Sequence, residues 1–189
     1  MKNPEPLITN HLYHIYNRGI NSCNIFESEE NYEYFLNLYE KHIEPIAKTF
    51  AWVLMPNHFH LLVQIRGQDF EARAPHQCFS NFFNAYSKAF NKFHNRHGAL
   101  FERPFKRKQI DNSAYFKKLV IYIHQNPVHH GFCEHPLEYG WSSYLTCISS
   151  KSTKFERDEV IKWFGGGYDF ECCHKEKINS AEINEFLGI

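Results

Sequence analysis

Trp52-Val53-Leu54-Met55-Pro56-Asn57-His58-Phe59-His60-Leu61-Leu62-Val63 reads as two apolar runs joined by a Pro-Asn pair. Pro and Asn are turn formers, so the stretch predicts an antiparallel hairpin with strands over 50–55 and 58–65. Side chains alternate across a strand, and His58 and His60 therefore project side by side from one face. An imidazole in such apolar surroundings carries a desolvation cost of a few kcal/mol unless it has a partner. Two satisfied structural histidines are one reading of the pair; a shared metal ion is the other.

Outward from the hairpin, residues 11–18 alternate and end at Gly19, which predicts a first strand. Ser28 offers an N-cap to a helix running to about residue 43, with Tyr32, Phe35, Leu36 and Tyr39 at helical spacing. The polar stretch 66–77 reads as a loop. Residues 80–96 read as a second helix stopped by Gly98, with Phe79, Phe82, Phe83, Tyr86 and Phe90 in a stripe that fits a core better than a base-stacking surface. Residues 103–110 read as a strand that Pro104 keeps near a sheet edge. Asn112 or Ser113 then caps a third helix, closed by Pro127 and Gly131. The order strand, helix, hairpin, helix, strand, helix predicts an α+β fold, a two-layer sandwich of antiparallel sheet and helices. After Trp141-Ser142-Ser143-Tyr144 the composition changes, through a Ser/Lys stretch at 149–154 to helical patterns at 156–164 and 180–187. The expected organisation is one domain over 1–145 and a short, mainly helical tail over 146–189.

The chain has 189 residues, eighteen Phe and eleven Tyr, enough apolar material for a folded core. No apolar stretch approaches the roughly 20 residues that span a bilayer, and the start lacks a signal-peptide core, so a cytoplasmic protein is expected. The six cysteines form no Cys-x-x-Cys pair, which argues against a zinc ribbon and for reduced thiols. The formal net charge is zero but polarised: residues 88–118 carry nine basic and two acidic side chains, a local +7. Such a zone is a candidate phosphate-binding surface.

A third set of residues makes the histidine pair more specific. Tyr122 and Asn126 are four apart on the third helix and share a face. A carboxamide oxygen is a hard ligand that suits Mg2+ or Mn2+ beside imidazole, whereas zinc favours sulfur or carboxylate. If the helix lies across the sheet, Asn126 completes a three-donor set with His58 and His60, and Tyr122 stands one turn away. A phenol ionises only near pH 10 and needs a cation nearby to act as a nucleophile. A core tyrosine is the competing reading.

Four stretches in order, Tyr13-His14-Ile15-Tyr16-Asn17-Arg18-Gly19, Met55-Pro56-Asn57-His58-Phe59-His60, Tyr122-Ile123-His124-Gln125-Asn126-Pro127-Val128 and Trp141-Ser142-Ser143-Tyr144, resemble the single-tyrosine HUH transposases, in particular their REP-associated tyrosine transposase branch. The resemblance covers about residues 11–145. It implies a ferredoxin-like or RRM-like sheet, with His58, His60 and Asn126 as ligands of Mg2+ or Mn2+ and Tyr122 as nucleophile. It implies cleavage and rejoining of single-stranded DNA beside hairpin or palindromic, REP-like elements, through a 5'-phosphotyrosine, by a monomer or a homodimer. Charge and position nominate Arg18, Arg103, Lys106, Arg107, Lys108 and Lys118 for DNA contact. Two further readings compete: a non-catalytic single-stranded nucleic-acid binding module with an RRM-like sheet, and a hydrolase whose histidine-held metal activates water.

Overall fold

The computed structural model describes residues 5–67 and 74–176, with residues 183 and 185. Four strands, β1 (Leu12–Arg18), β2 (Ala47–Met55), β3 (His58–Ile65) and β4 (Lys106–Ile110), form one antiparallel sheet in the order β2-β3-β1-β4. This is the strand order of a ferredoxin-like core. Met55 pairs with His58, so the hairpin turn is the two residues Pro56 and Asn57. β2 starts at Ala47, three residues before its expected start, because a bulge at Phe50 keeps the ladder going past a register break. β4 begins only at Lys106; Pro104, which lacks an N–H, lies outside the ladder.

Helices α1 (Glu29–His42) and α2 (Pro75–Phe93) pack on one face of the sheet. Their Tyr32, Phe35, Tyr39, Phe79, Phe82, Phe83 and Tyr86 meet Tyr13, Ile15, Phe59, Leu61 and Val63 in the first core. The aromatic stripe of α2 is thus packing surface, as its spacing indicates. Helix α2 begins five residues before its expected start. Pro75 occupies the first turn, where the missing N–H costs nothing and the fixed φ suits a helix.

The opposite face is covered by α3 (Ser113–His129) and by α4 (Tyr144–Ile148), α5 (Arg157–Phe164) and α6 (Gly167–Lys175). Here Leu119, Val120 and Ile123 of α3 meet Val53, Leu62, Val160, Phe164 and Phe170 in a second core. The two-layer core therefore carries a third, helical layer. Helix α3 does not close at Pro127, which lies inside it. So near the C-terminus the ring removes one hydrogen bond, and the His130 N–H still reaches the Asn126 carbonyl at 3.1 Å. Of the expected tail helices, 156–164 is present as α5. Helix α6 was not anticipated, and the pattern at 180–187 lies outside the described residues except Ile183, which is buried, and Glu185. Among the described residues no helix is long and apolar enough to cross a membrane.

A buried hydrogen-bond chain ties α3 to the segments around it. The His174 Nδ1–H donates to the Phe170 carbonyl at 2.7 Å, and its Nε2 accepts from the His124 Nδ1–H at 2.9 Å. The His124 Nε2 accepts from the Ser143 hydroxyl at 2.7 Å, whose oxygen accepts the Trp52 N–H at 2.9 Å. One tautomer of each ring satisfies every link with both imidazoles neutral. Burial pushes the His174 pKa down to about 4 and that of His124 well below its ordinary value, which keeps them so. α6, α3, the Ser142-Ser143 segment and β2 are joined by this one line.

Candidate active site

Alternation along β3 sends Phe59, Leu61 and Val63 into the first core and His58 and His60 to the α3 side. β1 adds its own even positions: Tyr16 lies opposite His60 and Arg18 opposite His58. Helix α3 crosses this face and presents Tyr122 and Asn126 from successive turns. The result is a cleft of about 470 Å³ lined by Tyr16, Arg18, His58, His60, Lys106, Tyr122, Asn126 and His130, among others.

The contacts at its floor are specific. His58 Nε2 is 2.8 Å from Asn126 Oδ1, and its Nδ1 is 2.7 Å from Asn57 Oδ1. Burial holds the His58 pKa down to about 4, so the ring is neutral near pH 7 and donates to only one of these two oxygens. With Nδ1–H donating to Asn57, the Nε2 lone pair and the Asn126 oxygen face one another across 2.8 Å. An imidazole nitrogen and a carboxamide oxygen held this close could both turn to one divalent ion beside them. The third donor is His60, 4% exposed, whose ring is T-shaped against His58 at 5.3 Å. Its Nδ1 is 2.9 Å from His14 Nε2, so Nε2 is the nitrogen left for the cleft. Among the described residues no three His, Cys, Asp or Glu side chains gather as a metal site. This donor set needs the carboxamide, and its oxygen and imidazole character fits Mg2+ or Mn2+.

Tyr122 is 6% exposed and its ring meets His60 edge-on at 5.5 Å. Burial pushes its pKa up to about 12, against a hydrogen bond with Asn126 that lowers it. Its phenol is neutral at pH 7, and ionisation there requires positive charge close by. Arg18 is held at the rim by Glu102, 3.1 Å away, and by Ser22. Lys106 is exposed on the cleft side of β4.

The sequence-nominated residues divide accordingly. His58, His60, Tyr122, Asn126, Arg18 and Lys106 come together. Lys108 shares the Lys106 face of β4, in register with His14, but does not line the cleft. Arg103 and Arg107 line a different concavity, on the α2 side of β4. Lys118 lies one turn before Tyr122 on α3, near the Tyr115 ring, and does not line the cleft. His14 and His130 escaped the sequence reading. His130 is four residues beyond Asn126 and reaches the His58 ring at 5.1 Å; extending the 122/126 spacing by one turn finds it.

No protein-family model matches this chain, and no curated protein matches it. Among solved structures it is similar to a REP-associated tyrosine transposase bound to a REP hairpin, with a TM-score of 0.60 at 16% identity, covering 83% of this chain and 96% of that one. The likeness is one of fold: the α+β core described above is shared.

Proposed function

We propose that this protein nicks and rejoins single-stranded DNA beside hairpin or palindromic elements, with Tyr122 as nucleophile. One observation carries the reading: a buried phenol, a carboxamide and two neutral imidazoles from two separate elements face the same cationic-rimmed cleft. The fold likeness to a transposase bound to a REP hairpin supports it.

His58, His60 and Asn126 would hold the divalent ion, Mg2+ or Mn2+. When bound, it supplies positive charge that polarises a phosphodiester and stabilises charge in the transition state. Lys106 and Arg18 draw the DNA backbone to the cleft mouth. The Tyr122 oxygen attacks phosphorus while the P–O3' bond breaks, so the phenol proton leaves and the departing 3'-oxygen gains one. The products are a 5'-phosphotyrosine on Tyr122 and a free 3'-OH. The exchange replaces one phosphodiester with another and needs no nucleotide cofactor; the reverse attack by a 3'-OH rejoins the strand. Burial of the Tyr122 hydroxyl suits this role, because excluding water protects the adduct from hydrolysis.

Labelled single-stranded hairpin oligonucleotides incubated with the protein and Mg2+ or Mn2+ are expected to yield a covalent complex on a denaturing gel. Tyr122→Phe is expected to keep hairpin binding and lose the complex. A Phe variant that still forms the adduct refutes the assignment, and one that still releases products with free ends favours hydrolysis by metal-activated water.

A further inference from the structure

On the far side of β4 from the Tyr122 cleft lies a second concavity of about 370 Å³, between α2 and the segment 98–105. That volume falls in the roughly 300–1,000 Å³ range of small-ligand sites. Phe83, Phe101 and Phe105 form its apolar wall, and Arg103 and Arg107 its cationic one. Arg107 lies over the Phe105 ring at 4.2 Å. Its Nε–H is shielded from solvent and has no hydrogen-bond partner, and its guanidinium makes no ion pair among the described residues. Burial draws its pKa down, and the Glu5 carboxylate nearby offsets only part of that shift. Partly buried guanidinium groups ordinarily meet an acceptor or an anion, since desolvating the charge is otherwise unfavourable. A ligand suited to this wall is rich in acceptors and has an apolar face to set against the phenylalanines. An unpaired nucleotide has both.

The concavity also adjoins the cleft. Asn17 and Glu102 line both, so the two meet at one end of the sheet. The single acidic side chain at this junction, Glu102, is neutralised by Arg18. Along β4, alternation turns Lys106 to the cleft and Arg107 to the concavity, which makes a cationic path around the strand end.

We propose that this concavity receives one unpaired nucleotide of the DNA strand whose phosphodiester enters the Tyr122 cleft, with Arg107 donating to the acceptor edge of the base and Arg103 to the adjacent phosphate. It rests on the strand-transfer reading above and adds to it a site that selects where along the strand the tyrosine acts. Arg guanidinium groups favour bases that present two acceptors in a fork.

The test is binding without metal, by fluorescence anisotropy, of single-stranded hairpin oligonucleotides in which each unpaired nucleotide beside the stem is made abasic in turn. With the full-length wild-type chain, one position is expected to weaken binding at least tenfold. Arg107→Gln is expected to weaken the intact oligonucleotide by a similar factor, and the abasic change at that position then costs less than twofold more. Arg107→Lys, which keeps charge but not the fork, is expected to resemble Arg107→Gln. Thermal melts establish that the variants are folded; should Arg107→Gln not fold, Arg103→Gln on the exposed rim is read in the same cycle. A wild type with no sensitive position, or an arginine variant with an unchanged abasic profile, overturns the pocket. A wild type that binds no hairpin oligonucleotide overturns the strand-transfer reading itself.

Discussion

His14 sits with no exposure beneath the cleft, stacked against Tyr16 and His60 at 4.8 and 5.0 Å between ring centres. Its Nε2 contacts His60 Nδ1, while its own Nδ1 is buried without a partner. For His60 to offer Nε2 as a ligand, its Nδ1 must carry the proton and donate to His14. The His14 proton then sits on the orphaned Nδ1. An unsatisfied buried donor costs about 1–3 kcal/mol, so the ligand-ready tautomer is held at a cost. His14→Phe keeps the aromatic stack and removes the acceptor. About tenfold weaker Mn2+ binding by calorimetry is expected; affinity unchanged from wild type would show that His14 does not orient His60. The ligand candidates were legible in the sequence because each obeys a local period, two along β3 and four along α3. His14 was not, since its role depends on the β1–β3 register, which brings residues 46 positions apart into contact.

At the scale of elements, α3 is steadied from behind by the Ser143–His124–His174 line, in addition to the His58–Asn126 contact on its cleft side. Because His174 is held neutral by burial, with its pKa near 4, the unfolded chain takes up its proton first as pH falls below about 6.5. Stability is full above that value and declines toward pH 4. From this residue alone about 2 kcal/mol is expected to disappear between pH 7.5 and pH 5. Urea unfolding should show a pH dependence smaller by about that amount in His174→Phe; an identical dependence would mean His174 is not buried neutral. His58, whose pKa is also held to about 4, acts in the same direction in both proteins. Alternation and spacing revealed β1, the hairpin, α1 and α2. They failed at α6, where Gly165-Gly166-Gly167 reads as an interruption and the helix presents only Phe170 and His174 as fully buried positions. They failed also at the end of α3, where tertiary packing carries the helix through Pro127.

For the molecule as a whole, two cores share one sheet, and the second is completed by the chain after residue 150. Val160, Phe164 and Phe170 cover Leu119, Val120 and Ile123, yet no described residue beyond 130 lines the cleft. A chain ending at 150 is expected to expose several large apolar side chains, each worth roughly 1.5–3 kcal/mol when buried, and so to melt early and lose adduct formation although every site residue remains. A truncated chain with full thermal stability would show that the tail is dispensable to the fold. At the other margin, β4 ends the sheet with Lys106, Arg107 and Lys108 in succession. Consecutive like charges on an open strand disfavour pairing with a second copy of the same strand, so this margin is built against extension of the ladder.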